Sequence, residues 1–576
     1  MPSTPASSDD PLKSTDRKGP KHVYSSISFI LIFVFVGLPV WWKTTTVYRV
    51  NLPYDEIETM STKVATHLIQ VEVVHADPRT PVANELVRRL EAACKQEATD
   101  TDEVQFVYKW SFREAYQNET GLFTKELTGK FCLLRMFFFI IINIILLQKA
   151  HARRRGAAQD RAFQLSKPAI CRHCSARSID ATTVIGLHQI VYVKAGTGPD
   201  QLSKNIVDAV RKHVVQESAL RRLWTSQKVT ERAKLDKERM RPLSAATEFD
   251  VTFTLVVPEP QTLDVSWRIQ DAVEVYLKPF LDKISMVARV HVKSQVLYLL
   301  PLKLKRRYSE TKKAYVVTAD QLSLMINPIE GSTRLHTSVH PVLNFVVYVV
   351  PQTHYPLYIY DEQGNQLETN AFLSPKWGGV LFYNVAEFPK AGAALPAPME
   401  IDMRSVFEVF LAQLGLLVGL PDRSHKQAAA RYLESPLPSD LDIAFLLRRR
   451  TQDYLSTSTS SLHSLSQLLS TISNIVIKDE IGDLVYSSVL HARHSFEQLE
   501  QGDLESSFSS AEAAFLASEK AFFDPSLLAL LYFPDDQKYA IYIPLFLPVS
   551  LPVLMSIRSL WAYYRKSKAP KAEKLD

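Results

Sequence analysis

The sequence predicts an α/β domain, a mixed sheet with flanking helices, followed by a helical bundle, both held between two transmembrane helices. Three observations carry this. Strand-like and helix-like stretches alternate from the first apolar run to about residue 300, and further strands follow within 43–400. From Asp402 onward the apolar spacing is helical. An uninterrupted apolar run lies near each end of the chain, at 24–42 and 539–557.

Residues 1–23 are polar, contain Pro and Ser, and form a tail. Tyr24–Trp42 follows as the first apolar run; about 20 such residues suffice to cross a bilayer. Trp41, Trp42 and Lys43 stand where a cleaved leader needs small residues, so the run reads as an uncleaved anchor. Lys13, Arg17, Lys18 and Lys21 precede it, whereas only Lys43 and Arg49 follow closely. The excess of positive charge puts the N-terminal tail in the cytosol. The C-terminal run 539–557 has Lys538 before it and Arg558, Arg565, Lys566, Lys568, Lys571 and Lys574 after it, so the basic tail 558–576 is cytosolic too. The residues between the runs then lie across the membrane. Asn118-Glu119-Thr120 is an N-glycosylation acceptor compatible with that placement.

Within 43–400, His67–Val74 reads as a strand, and Thr80-Pro81 caps a helix whose apolar positions run from Ala83 to Cys94. Residues 103–112 and 187–194 read as strands, and Leu202, Ile206, Ala209, Val210 and Val214 mark an amphipathic helix. A strand at Phe249–Val257, a helix over Trp267–Ile284 and a strand from Arg289 to Leu300 make a β–α–β unit. Further strands are expected at Leu343–Val350 and Gly379–Val385. The stretch 131–182 differs in style, with three of the four cysteines and an arginine cluster. It reads as an atypical insertion, such as a mis-spliced segment would leave. Its apolar part, Phe131–Leu147, has two other readings, a third span or a buried or interfacial helix.

The region 401–538 opens with a helical stripe from Met403 to Val418, stopped by Gly419 and Pro421. Ser439 and Asp442 read as a helix start, and three helices with Ser-, Glu- and Gln-rich outer faces run to Phe522. Asp535 and Asp536 sit in a short loop before the C-terminal run. Pro544, Pro548 and Pro552 recur every four residues and fall on one helix face. Each proline lacks an N–H and frees a carbonyl four residues back, which is costly in lipid. This face is therefore expected to meet other protein or ordered water.

The 576 residues carry a net charge of +6 without a basic stripe, which argues against a nucleic-acid partner. Phosphate-binding glycine loops, a nucleophile elbow and a zinc-protease helix are absent from the sequence. Cys171-Arg-His-Cys174 is half a zinc knuckle without a second pair. Asp440-Leu-Asp442 matches a short acidic motif of glycosyltransferases, but it opens a helix, where acidic residues serve as caps. No catalytic, cofactor-binding or metal-binding residue is assigned, and no cofactor is expected. The loop Thr369–Gly379 offers Trp377 as a contact for another protein, and Asp535 and Asp536 could bind a cation or a partner's basic group.

Several blocks together resemble the PIG-S family: Gly37–Thr45, Pro341–Phe345, Thr369–Gly379, Ile472–Asp479 and Ala521–Pro548. The resemblance covers residues 24–560 apart from 131–182. It implies a non-catalytic, two-span subunit of the glycosylphosphatidylinositol (GPI) transamidase of the endoplasmic reticulum membrane. It also implies that the nucleophile belongs to another subunit, the cysteine-protease-like PIG-K. The rival expectation is an autonomous two-span luminal enzyme of glycosyltransferase type using Asp440 and Asp442.

Overall fold

The computed structural model describes residues 20–45, 48–75, 88–92, 104–114, 137–141, 183–186, 190–194, 199–221, 246–300, 307–318, 322, 326–333, 338–361, 363–386, 388–389, 394–421, 430–432, 437–472, 475–528 and 535–567. The chain divides into two compact units. One comprises Met1–Asp55, Leu462–Tyr486 and Ser518–Asp576; the other comprises Glu56–Ser461 and Ser487–Ala517.

The larger unit is the α/β part. Its first sheet has six strands: β1 (Ala65–His75), β2 (Val104–Glu114), β3 (Phe137–Ile141), β4 (Thr183–Ile185), β5 (Ile190–Lys194) and, far along the chain, β16 (Ala430–Tyr432). They lie in the order β16-β4-β5-β3-β1-β2. β1 pairs with β2 in parallel and with β3 antiparallel, so the sheet is mixed, as the sequence predicts. β3 also pairs antiparallel with β5. The five residues of β3 thus form a strand inside the stretch whose apolar part could also be read as a helix; the remainder of 131–182 lies outside the described residues. Most of the Thr80–Cys94 helix lies outside them as well. The amphipathic helix is found at Pro199–Asp208, continued as a π-helical stretch to Val215, and all five of its named apolar positions are buried.

The second large sheet has the order β13-β14-β11-β6-β8. It is built from β6 (Glu248–Val257), β8 (Arg289–Tyr298), β11 (Val342–Val349), β13 (Ala371–Ser374) and β14 (Gly378–Tyr383). β6 and β8 are parallel, which bears out the β–α–β unit. β6 and β11 are central and almost wholly buried, hence their near-continuous apolar runs. β8 lies at the edge and alternates between exposed and half-buried. Helix Met403–Val418 packs on β14. It supplies Phe407 and Phe410, whose rings lie 5.2 and 6.0 Å from Phe253 of β6, and Phe410 lies 5.1 Å from Phe345 of β11. A second core holds Val256, Val346, Tyr348, Val380 and Phe382 together with Leu357 and Ile359. Smaller sheets complete the unit: β12-β10-β9 (Leu357–Tyr360, Ala314–Thr318, Arg307–Ser309), and β15 (Ala397–Glu400) with β7 (Leu263–Ser266).

The helical ends follow the sequence closely. Asp402 caps Met403–Val418 by accepting from the Arg404 N–H, and Gly419 closes it at φ 108°. Asp440–Thr471 starts with a reciprocal cap. The Ser439 N–H and hydroxyl each donate to Asp442 Oδ2 at 2.7 Å, while the Asp442 N–H donates back to Ser439 Oγ at 3.3 Å. Asp479–Gln501 and Leu504–Phe522 complete the expected three helices. Not all serines of these helices lie outside: Ser458, Ser488, Ser495 and Ser507 are fully buried. Ser458 and Ser488 donate to the Ala514 carbonyl, and Ser495 to that of Ser507. A small side chain that bonds backbone lets helices approach closely, so Ser here marks contact faces as well as outer ones.

Among the described residues no helix is long and apolar enough to cross a membrane. The N-terminal apolar run is helical at Pro20–Ile32, π-helical at Phe33–Gly37 and helical again at Leu38–Thr45. The C-terminal helix runs from Asp535 to Ser567, beyond both ends of 539–557. Asp535 and Asp536 therefore open this helix rather than occupy a loop, a position where acidic side chains favour the helix dipole.

Candidate assembly surface

The smaller unit contains both apolar runs singled out in the sequence. Label its apolar helices α1 (Pro20–Ile32), α2 (Leu38–Thr45) and α3 (Asp535–Ser567). α1 packs against α3. Ser26 and Val553 are buried on them. Most other described apolar side chains on these helices face outward, Trp42 at 67% exposure and Leu554 at 61%. So many exposed large apolar side chains on these helices mark a place for lipid or for another protein.

Pro544, Pro548 and Pro552 all lie inside α3 and are exposed. Their four-residue spacing keeps them on one face together with exposed Leu551 and Met555. The helix continues through them, so the carbonyls their rings leave without an N–H partner lie on that same side. That side of α3 therefore presents proline rings outward.

The chain leaving α2 is fastened within the same unit. Val50 N–H donates to the Ile477 carbonyl at 3.2 Å, and Ile477 N–H donates to the Tyr48 carbonyl at 3.1 Å. Arg49 Nη2 donates to the Leu469 carbonyl, and Tyr486 Oη to that of Asn51. Tyr48 Oη donates to Asp479 at 2.7 Å, and that carboxylate raises the phenol above its ordinary pKa. A Cβ on Gly482 would meet Val50 Cγ1 at 2.8 Å, so glycine is needed for this close approach. The block Ile472–Asp479 thus receives the strand-like segment that follows the first apolar run.

Other residues singled out by sequence lie elsewhere. Trp377 is half-buried, packs against the second core of the α/β unit, and its indole nitrogen has no hydrogen-bond partner. The special residues of its loop have local explanations. Asn370, at φ 46°, bonds the backbone of Leu357, Ile359 and Phe382. A Cβ on Gly378 would lie 1.8 Å from the Asn344 carbonyl oxygen. Asp442 is used in its cap, and Asp440 pairs with Lys283 at 2.8 Å, so both carboxylates of the short acidic motif are engaged in folding. Asn118, Cys94, Cys171 and Cys174 lie outside the described residues, as do the side chains of Asp535 and Asp536.

Comparison with known proteins gives a consistent result. The profile of the PIG-S family, described as phosphatidylinositol-glycan biosynthesis class S protein, matches residues 28–567. The chain is 35% identical over 575 residues to a bovine protein named GPI-anchor transamidase component PIGS, covering 98% of this chain and 99% of the relative. It is 34% identical over 562 residues to the human protein of that name, with 96% and 97% covered. A Saccharomyces cerevisiae protein, GPI transamidase component GPI17, is 21% identical over 539 residues, with 91% and 88% covered.

Proposed function

This chain belongs to the PIG-S family, and on that premise we propose that it is a subunit of a GPI transamidase whose part is structural. Relatives from mammals and yeast carry that component name over nearly their whole length, which supports the role. The observation that carries the structural part is the outward-facing apolar surface of α1, α2 and α3 with its proline stripe.

In this reading the apolar runs 24–42 and 539–557 are two membrane spans. The flanking basic residues support cytosolic termini, and the region 43–538 lies in the lumen of the endoplasmic reticulum. The family resemblance further supports a non-catalytic role beside a cysteine-protease-like subunit, PIG-K, which supplies the nucleophile. The engagement of Asp440 and Asp442 in a salt bridge and a cap argues against the glycosyltransferase alternative. Asn118 is proposed as a luminal glycosylation site. The stretch 131–182 is proposed as an atypical insertion, although Phe137–Ile141 within it forms a strand of the first sheet.

Affinity purification of the tagged full chain in mild detergent, with mass spectrometry of what accompanies it, tests the proposal. Stoichiometric recovery of a cysteine-protease-like subunit is expected. Recovery of this chain alone, from membranes that keep other complexes intact, would overturn it.

A further inference from the structure

We propose that Glu248, His291 and His340 form a zinc-binding site at one edge of the five-stranded sheet. Glu248 is the first residue of β6, His291 is the third of β8, and His340 lies in the turn two residues before β11. These three segments are brought together by strand pairing: Asp250 pairs with His291 on one side and with Val342 on the other. The site therefore sits at the N-terminal ends of three adjacent parallel strands. No local sequence spacing announces it, since 43 residues separate Glu248 from His291.

The geometry fits a tetrahedral ion. Glu248 Oε2 lies 3.1 Å from His291 Nε2 and 3.4 Å from His340 Nε2, and all three donor atoms lie within 4.8 Å of one another. Zinc bonded at about 2.0–2.1 Å to tetrahedral ligands places those ligands about 3.4 Å apart. The imidazoles stack with centroids 5.4 Å apart and planes at 24°, so both Nε2 atoms address the same carboxylate oxygen. Two neutral imidazoles and one carboxylate are a borderline-soft donor set that suits Zn²⁺ better than Ca²⁺ or Mg²⁺. The remaining coordination position would be open to solvent, because His291 is exposed and the other two are half-buried.

The surroundings hold the ligands in place. Ser338 donates to Asp250 Oδ2 at 2.6 Å and accepts from the His340 N–H at 3.2 Å, which fixes the turn carrying His340. Asp250 is buried and neutralised by Lys293 at 2.5 Å. Arg289 Nη1 reaches the other carboxylate oxygen of Glu248 at 3.3 Å, but its side chain is 79% exposed and free to swing out. It competes with a metal for Glu248, so Arg289→Ala should tighten binding.

The proposal is independent of the transamidase reading, and its test needs no enzymatic readout. The full chain, purified with whatever accompanies it and stripped with chelator, is loaded with Zn²⁺ and its metal content measured. Cys171→Ser/Cys174→Ser serves as the background, to silence that pair. One zinc per chain is expected, and Glu248→Gln, His291→Gln or His340→Gln should each weaken binding by about 100-fold or more. Zinc retained in all three variants, or no zinc in the background chain, would overturn the proposal. Should a ligand variant misfold, Co²⁺ loading of the background chain decides. Intense visible absorption of a tetrahedral site supports the proposal, and the weak spectrum of octahedral Co²⁺ overturns it.

Discussion

Strand β6 and helix α3 are both rich in apolar residues, yet nine of the ten β6 residues are buried while nearly all described apolar residues of α3 face outward. β6 finds its partners inside the chain: β8 and β11 on either side, Phe407 and Phe410 on one face, the second core on the other. α3 has α1 beside it, and its three prolines are exposed among the described residues. Apolar sequence alone does not tell a self-sufficient core from a surface that awaits lipid or a partner. The balance of what each residue already touches does.

The comparison can be broken first where burial is greatest. Phe253→Ala removes a ring that touches Phe345, Phe407 and Phe410, and should destabilise the α/β unit by about 3–5 kcal/mol, as read by denaturant unfolding. A loss below about 1 kcal/mol would mean the core is looser than its contacts suggest.

A second prediction uses acid. Burial, reinforced by the nearby Arg448 charge, pushes the His67 pKa down to about 3. Between that value and the ordinary 6.5 the unfolded chain binds the proton and the folded chain does not, so stability falls as pH drops through this window. From pH 6.5 to 5 the loss should reach about 2 kcal/mol, and His67→Gln should flatten that part of the pH profile. An unchanged profile in the variant would assign the acid sensitivity to other groups.

Next comes the cap. Asp442→Ala should cost about 1 kcal/mol through loss of its bonds to Ser439, measured by thermal unfolding. The pair Asp440→Asn/Asp442→Asn should leave surface display of GPI-anchored proteins largely intact. Abolition of display in a protein that folds and assembles would revive a catalytic role for the pair.

Much of this was legible in the sequence. Asp402, Gly419, Ser439 and Asp442 announced helix ends because caps are local, set by hydrogen bonds within three or four residues. The buried strands β6 and β11 stood out through their β-branched and aromatic runs. β3 did not, because a short continuous apolar run has no period that separates a buried strand from a helix. The buried serines of the bundle are not distinguishable in the sequence from those on the outer faces, since hydropathy cannot see a hydroxyl that bonds a carbonyl. The Glu248, His291 and His340 cluster was invisible because strand register, not spacing, assembles it. The proline stripe was plain from the sequence, and the structure adds that it lies exposed.

The smallest expected effect on folded stability is the most telling for function. Replacing Pro544, Pro548 and Pro552 together by Ala should leave unfolding of the α/β unit unchanged, because these residues belong to the other unit. The direct measurement is co-purification of the cysteine-protease-like subunit with the tagged full chain, unmodified against this triple variant, at matched expression. The account predicts that the partner is recovered with the unmodified chain and is lost or reduced severalfold with the variant. Equal recovery from both would contradict the claim that the proline face of α3 is the assembly surface.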